Sequence, residues 1–292
     1  MSPMASLVEH APAKVNLTLA VLGRRADGYH AIDSLVAFAG VGDRLTFAPG
    51  VPLSLDVRGV TARYAGPLAD NLVLKAARAL AAEIPGLKLG RFTLDKRLPV
   101  AAGLGGGSSD AAAALRLLAR ANRLALGDMR LRKVARQTGA DVPVCVDRRA
   151  RRMRGIGDVL SAPLIIPKLA AVLVNPGVAV PTKDVFAFLG LKAGAGLKRV
   201  KPARALPRDR DGFIELLAGE RNDLEPAAIE IQPAIARVLA ALRKEAGCDL
   251  ARMSGSGATC FGLFASSRAA AAAARGLSAA HPRWWVKATT FE

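Results

Sequence analysis

The stretch with the clearest chemical potential is a glycine-rich loop, residues 99–109, which reads PVAAGLGGGSS. Its four glycines within five positions let the backbone adopt positive φ angles and approach a ligand closely. The alanine- and leucine-rich run at 111–118 predicts a helix, with Ser108, Ser109 or Asp110 as its N-cap. A helix N-terminus behind such a loop offers unpaired N–H groups and a partial positive charge, which suit a phosphate.

Two familiar nucleotide motifs do not fit this loop. The P-loop needs Gly-Lys-Ser/Thr at its end, but Gly107 is followed by Ser108. The dinucleotide fingerprint needs a third glycine where Ser108 stands. A flexible linker or a packing turn is the alternative interpretation. We favour anion binding, because a linker would not run straight into so strong a helix.

A second candidate is the alternating segment near the N-terminus. Lys14, Asn16 and Thr18 share one face of a predicted strand, and the opposite face is apolar. The polar face is either a solvated edge or a place where an ammonium and an amide meet a ligand, and the pattern alone leaves both open.

Two further positions carry polar side chains that could serve chemistry. Tyr29 and His30 end a loop with turn chemistry at Asp27-Gly28, and their rings could stack on a ligand or cover the edge of a core. Asp141 lies between a helix-ending glycine and an apolar, strand-like segment, where it is either a turn former or a carboxylate at the mouth of a cleft.

The elements that must position these residues alternate between helices and strands. A strand at 87–98 leads into the glycine loop, and Lys96 lies just upstream of it. A domain boundary is expected near residue 160, which divides the chain into an N-terminal domain (1–160) and a C-terminal α+β domain (161–292). The other predicted elements are helices at 71–83, 110–126, 128–138, 180–189 (N-cap Thr182) and 267–277, strands at 169–175 and 284–290, a mobile loop at 190–212, and a second glycine-rich turn at 252–264, placed between a helix and a strand.

Composition excludes several classes of protein. With 292 residues, 51% apolar and 23% charged, the chain is long and apolar enough for a substantial core. It has no apolar run of the length that a membrane helix needs and no visible signal peptide. Three widely separated cysteines fit reduced thiols better than disulfides or a zinc site, so we expect a cytoplasmic protein with no membrane partner.

The net charge of +18 raises a rival interpretation, a basic nucleic-acid-binding protein. The basic runs, including the arginines at 148–154, are not interleaved with aromatic residues, so no stacking platform for single strands is indicated. We interpret most of this charge as solvated surface and expect no nucleic-acid partner.

Taken with its helix, the 99–109 loop resembles the phosphate loop of the GHMP kinases. Within that superfamily, four other motifs are similar to the branch that acts on a cytidine diphosphate-linked methylerythritol. They occur in the order and spacing of that branch: Ala13–Leu17 (AKVNL), Arg25–His30 (RADGYH), Gly139–Pro143 (GADVP) and Ser254–Thr259 (SGSGAT).

The resemblance implies a role for each matching residue. Asp141 matches the catalytic aspartate that takes a proton from the substrate hydroxyl, and Lys14 the lysine beside it. Asn16, Tyr29, His30 and, less specifically, Thr182 match substrate positions, and Phe186 matches an aromatic that stacks on cytosine. The ATP site is implied for Lys96 and for the loop residues Pro99, Val100, Ala101, Ala102, Gly103, Leu104, Gly105, Gly106, Gly107, Ser108 and Ser109.

The resemblance also implies a fold and a reaction. The fold is α+β, a two-lobed GHMP-kinase-like structure with the active site in the cleft between the domains. The reaction is ATP-dependent phosphorylation of the 2-hydroxyl of 4-diphosphocytidyl-2-C-methyl-D-erythritol, in non-mevalonate isoprenoid precursor biosynthesis; kinases of homoserine or mevalonate are the alternatives. Mg²⁺ is expected from the chemistry. No dedicated metal motif is visible, which leaves Ser108 or Ser109, with ATP and water, as candidate ligands.

Overall fold

The computed structural model describes residues 6–194 and 205–292. Its strands are β1 (Leu7–Asn16), β2 (Ala20–Arg24), β3 (His30–Pro49), β4 (Ser54–Arg58), β5 (Gly90–Asp95), β6 (Arg151–Gly155), β7 (Val159–Leu160), β8 (Leu169–Asn175), β9 (Cys248–Met253), β10 (Cys260–Phe264) and β11 (Trp285–Phe291). Its helices are α1 (Leu72–Glu83), α2 (Gly106–Ala121), α3 (Met129–Thr138), α4 (Val142–Asp147), α5 (Thr182–Phe188), α6 (Arg210–Ala218), α7 (Glu225–Ile231), α8 (Ala234–Lys244) and α9 (Ser267–Ala280). In the described part of the chain, no helix combines the length and apolarity needed to cross a bilayer.

The chain divides into two compact units, each assembled from separate segments. The first unit holds residues up to 13, 41–100 and 105–148, and the second holds 14–40, 101–104 and 149–292. The units are therefore not two contiguous halves, and the domain boundary near residue 160 stays a prediction.

The first unit packs helices against a small sheet. Residues 44–49 of β3 pair antiparallel with β5, which pairs parallel with β4. The rings of Phe47 and Phe92, from β3 and β5, lie 4.6 Å apart in its core. In α1 the buried residues recur at helical spacing, and the Asn71 side chain accepts the N-cap hydrogen bond from Val73 N–H.

The second unit contains two antiparallel strand systems. In one, β11, β8, β10 and β9 are adjacent in that order, and in the other, β3 pairs with both β2 and β6. The apolar face of the first system packs on α7, α8 and α9 around Val172, Val174, Leu239 and Phe264. The predicted strand at 169–175 is confirmed residue for residue, because a short buried run of β-branched and leucine residues has few other solutions.

Several predicted elements differ from the structure. The glycine-rich turn after Met253 joins two antiparallel strands, β9 and β10, and does not join a helix to a strand. The apolar segment after Asp141 is the short helix α4, with Pro143 near its start, and not a strand. Within the predicted loop 190–212, helix α6 begins at Arg210, and residues 195–204 lie outside the described part.

Candidate active site

The start of α2 corrects the predicted capping of the glycine loop. The N-cap is Gly105, in the left-handed region at φ 59°, so Ser108, Ser109 and Asp110 lie inside the first turns and cap nothing. The first intrahelical hydrogen bond runs from Ser109 N–H to Gly105 O, at 2.8 Å. The amides of Gly106, Gly107 and Ser108 thus precede the helical pattern, and two of them have no side chain to cover them. This is the arrangement that receives a phosphate.

The middle of the loop, residues 101–104, is held by the second glycine-rich turn. Ser254 Oγ donates to Gly103 O at 2.8 Å, and Thr259 N–H donates to Ala102 O at 3.2 Å. The loop end is tied to β1, because Lys14 N–H donates to Leu104 O at 2.9 Å. The Ser254–Thr259 turn, whose role the sequence left open, therefore supports the backbone of the phosphate loop.

The polar face of β1 is not a solvated edge. Lys14 is 5% exposed and Asn16 is 3% exposed. Lys14 Nζ donates to Asn16 Oδ1 at 2.9 Å, and Asn16 Nδ2 donates to Ser34 Oγ at 2.7 Å. The Asn16 N–H donates to Ser254 Oγ at 3.0 Å. An ammonium and an amide are thus fixed side by side in a buried setting, where electrostatic interactions are stronger than in water.

The rings of His30 and Phe186 meet, although 155 residues lie between them in the chain. Their centroids are 4.7 Å apart and the planes are inclined by 27°, a stacked pair. The Nε2 atom of His30 is buried and has no hydrogen-bond partner within the described structure. Burial, and to a lesser degree the charge of Arg24, lowers the pKa of His30, so the ring is held neutral. Tyr29, by contrast, is 62% exposed.

Thr182 is the first residue of α5, not its N-cap, which is Pro181. The Thr182 hydroxyl is 2.7 Å from Ser256 Oγ, so α5 is linked to the same glycine-rich turn that supports the phosphate loop. Because Phe186 lies one turn further along α5, this link also fixes the aromatic residue relative to that turn.

Asp141 directly precedes α4, at the N-cap position. Its side chain makes no capping hydrogen bond to that helix. Helix α4 is itself anchored, since Arg116 Nη1 donates to Cys145 O at 2.8 Å and Arg116 Nε to Glu9 Oε2 at 2.9 Å. The carboxylate therefore stands on a firmly held element without serving as its cap.

Lys96 is not an exposed cation beside the loop. Its ammonium lies 2.6 Å from Asp43 Oδ2 and 2.8 Å from Asp110 Oδ2, and all three side chains are buried. We missed Asp43 at the sequence level, because a single acid in an apolar strand carries no recognisable pattern. The one physical rule that points to Asp43 is that a buried aspartate needs a buried cation as its partner.

The arginine cluster at 148–154 is not purely surface charge, which corrects the sequence-based interpretation. Arg152 Nη1 and Arg154 Nε each donate to the Asp33 carboxylate at 3.0 Å, linking β6 to β3 in the second unit. Sequence reasoning missed this contact, because Asp33 lies more than a hundred residues from its partners.

All three cysteines lie in the described part of the chain, and none forms a disulfide. Among the described residues there is also no group of three or more His, Cys, Asp or Glu side chains arranged to hold a metal ion.

Comparison with known proteins identifies the family. The profile of the GHMP kinases N terminal domain matches residues 71–148, and that of the GHMP kinases C terminal matches residues 202–283. The chain is 60% identical over 289 residues to a 4-diphosphocytidyl-2-C-methyl-D-erythritol kinase of Methylobacterium radiotolerans, covering 98% of this chain and 99% of the relative.

Solved structures agree. A crystal structure of 4-(cytidine 5'-diphospho)-2C-methyl-D-erythritol kinase is similar with a TM-score of 0.75 and 36% identity, covering 98% of this chain and 99% of that one. A homoserine kinase from Cytophaga hutchinsonii is similar with a TM-score of 0.70 over 99% of this chain and 97% of that one, but at 19% identity this likeness concerns the fold alone. The predicted GHMP-kinase-like fold of mixed α and β content is confirmed. The chain is an ATP-dependent phosphotransferase that belongs to the 4-diphosphocytidyl-2-C-methyl-D-erythritol kinase family, within the GHMP kinases.

Proposed function

We propose that this protein transfers the γ-phosphoryl group of ATP to the 2-hydroxyl of 4-diphosphocytidyl-2-C-methyl-D-erythritol, a step in non-mevalonate isoprenoid precursor biosynthesis. The observation that carries the proposal is the 60% identity, over almost the whole chain, to a kinase with that name. The uncovered glycine amides at the start of α2 support it, because phosphoryl transfer needs anchored phosphates. The homoserine and mevalonate alternatives are not favoured, and neither is the nucleic-acid-binding interpretation.

In this proposal Asp141 takes the proton of the attacking 2-hydroxyl. The hydroxyl oxygen bonds to the γ-phosphorus while the bond between that phosphorus and ADP breaks, and ADP leaves. The Asp141 carboxylate lies directly before α4, at the position that matches the catalytic aspartate of the family. Lys14, held by Asn16 at 2.9 Å, supplies positive charge that stabilises the developing alkoxide of the substrate.

ATP binds, in the proposal, with its phosphates on the amides of Gly106, Gly107 and Ser108. An Mg²⁺ ion would come with the nucleotide, held mainly by phosphate oxygens and water, as this ion commonly is. The half-buried Ser108 is the better placed of the two candidate hydroxyls, because Ser109 is fully buried. When bound, the ion neutralises the β- and γ-phosphates.

The cytoplasmic location stays a prediction.

The stacked pair of His30 and Phe186 is the proposed cytosine site. A cytosine ring would take the place of the imidazole against Phe186, and the displaced His30 would hydrogen-bond the edge of the base. The neutral state of His30 and its unpartnered Nε2 support this assignment. The exposed Tyr29 and the Thr182 hydroxyl would line the same substrate.

Replacing Phe186 by alanine is expected to raise the KM for the cytidyl substrate about tenfold or more, because stacking on an aromatic ring contributes roughly 1–3 kcal/mol per base. The KM for ATP should stay within about twofold. Phe188→Ala is a matched control, since Phe188 lies on the same helix and is 58% exposed. Steady-state kinetics with each substrate varied in turn measure the effect. A rise in the KM for ATP instead would assign Phe186 to the wrong ligand.

The proposed function is tested by a substrate panel. ADP formation is measured with the cytidyl methylerythritol substrate, homoserine and mevalonate, each with Mg²⁺ and ATP. We expect turnover with the first alone. Turnover with homoserine or mevalonate and none with the cytidyl compound would overturn the assignment. The nucleic-acid alternative predicts binding to DNA or RNA that weakens steeply with salt, so unchanged migration at low salt would exclude it.

A further inference from the structure

Three buried charged side chains meet near the N-terminus of α2, in the first unit. Asp43 comes from β3, Lys96 directly follows β5, and Asp110 lies one turn into α2. The Lys96 ammonium bridges the two carboxylates at 2.6 and 2.8 Å. We call these three residues the buried triad.

The triad holds both sides of the loop that carries the phosphate amides. On the upstream side, Asp43 Oδ1 accepts hydrogen bonds from Arg97 N–H and from Leu98 N–H, the latter at 2.9 Å. On the downstream side, Asp110 attaches the first turn of α2 to the same ammonium. A methyl group added at Gly106 would lie 3.5 Å from Lys96 Nζ, so the ammonium lies close to the first residue of the helix.

The triad is not arranged for stability alone. Two carboxylates share one ammonium, and Asp110 Oδ1 and the neighbouring Ser109 Oγ are buried without hydrogen-bond partners in the described structure. Buried polar groups that lack partners destabilise a fold, and buried ion pairs are often no better than apolar packing. The arrangement is therefore better explained by what it holds in place than by the free energy of folding.

The triad contains two carboxyl groups and one ammonium. Burial raises the pKa of Asp110 to about 7, against the opposing effect of Lys96 and with a smaller contribution from Asp43. These two are the charged groups that face it. The carboxylates in turn raise the pKa of Lys96 despite the opposing effect of burial, so the lysine stays protonated.

We propose that Lys96, Asp43 and Asp110 are positioning residues for ATP, which fix residues 96–98 and the first turn of α2 so that the loop amides converge on the phosphates. Lys96 then serves the ATP site through the backbone it holds and not as a direct phosphate ligand. The inference rests on the proposed function, because it presumes that this loop binds ATP.

The test compares two variants at Asp110. Asp110→Ala removes the attachment of α2, so we expect the KM for ATP to rise about tenfold, with kcat at saturating ATP and the KM of the acceptor within about twofold. Asp110→Asn keeps the shape and an acceptor for Lys96, so it should restore the KM for ATP to within about twofold of the original.

The split between KM and kcat gives a readout that a purely structural role would not move. A loss of folded protein lowers the apparent kcat but leaves the KM of the remaining folded enzyme unchanged, whereas a displaced loop raises the KM for ATP.

Asp128 supplies the matched control, because it is an aspartate at the start of α3, in the same unit, and pairs with Arg130 rather than with Lys96. Asp128→Ala and Asp128→Asn should leave the KM for ATP unchanged, whatever they do to the melting temperature. If Asp110→Ala lowers the melting temperature but leaves the KM for ATP unchanged, the positioning role is wrong.

If Asp110→Ala does not fold, Asp110→Val decides, because an apolar side chain of comparable size removes the attachment to Lys96 without leaving a cavity. A raised KM for ATP then supports the proposal, and an unchanged one overturns it. Calorimetry of the unchanged protein with ADP and Mg²⁺ separates this result from the proposed function. Absence of any binding there would overturn both, whereas normal binding with unaffected variants would overturn the positioning role alone.

Discussion

Asp141→Asn is expected to lower kcat by about 10²- to 10⁴-fold, the usual contribution of a general base. An amide keeps the size and much of the polarity of the carboxylate but cannot accept the proton of the attacking hydroxyl. Because asparagine and aspartate serve about equally well at the N-cap position, the free energy of unfolding should change by no more than about 1 kcal/mol. The measurement is the initial rate of ADP formation at saturating concentrations of both substrates.

Binding experiments distinguish a lost base from a damaged site. Calorimetric titration with ADP and Mg²⁺ should give the same affinity for Asp141→Asn and the unchanged protein. Asp128→Asn, which removes a carboxylate from the start of α3 in the same unit, should retain full turnover. Turnover of Asp141→Asn close to that of the unchanged protein would show that another group accepts the proton.

Gly103→Ala is expected to disrupt the phosphate loop. Gly103 has φ 74°, and a methyl group there would collide with the carbonyl oxygen of Ser254. A left-handed alanine costs about 1–2 kcal/mol, and overpacking typically adds about 1–3 kcal/mol. We therefore expect the free energy of unfolding to fall by about 2–5 kcal/mol and the KM for ATP to rise more than tenfold.

Gly50→Ala separates backbone strain from collision. Gly50 has φ 84°, but nothing lies within 4 Å of the position that a methyl group would take. It should lose only the conformational part, about 1–2 kcal/mol, with no change in the KM for ATP. Urea unfolding of both variants measures the difference. Equal losses at the two sites would mean that the Ser254 contact does not constrain the loop.

The sequence was informative where local rules decide the structure. The strand at 169–175 and the helix after Asn71 followed from periodicity and capping residues. The beginning of α2 did not follow from these local rules, because they place the start of the helix at the alanine run. In the structure the glycines themselves form its first turn, with Gly105 as a left-handed N-cap that no propensity rule selects.

The candidate site was less predictable, because its contacts join residues that are far apart in the chain. Alternation along β1 left open whether its polar face is solvated, and in the structure Ser34 and Ser254 supply hydrogen bonds to this buried face. No local pattern pairs His30 with Phe186, and only the family resemblance assigned both to one ligand. Buried polar networks are satisfied by tertiary partners, and a single sequence does not reveal those partners.

The interleaving of the two units limits how this enzyme can be rearranged. The chain passes from one unit to the other after residues 13, 40, 100, 104 and 148, five times in all. A gene fragment that ends at one of these points encodes strands without their pairing partners. A fragment that ends after residue 148, for example, contains β3 but neither β11 nor β6, with which β3 pairs. Neither unit can then be exchanged between relatives as a cassette. Functional chimaeras of such a protein should require several matched junctions, which favours inheritance of the chain as one indivisible block.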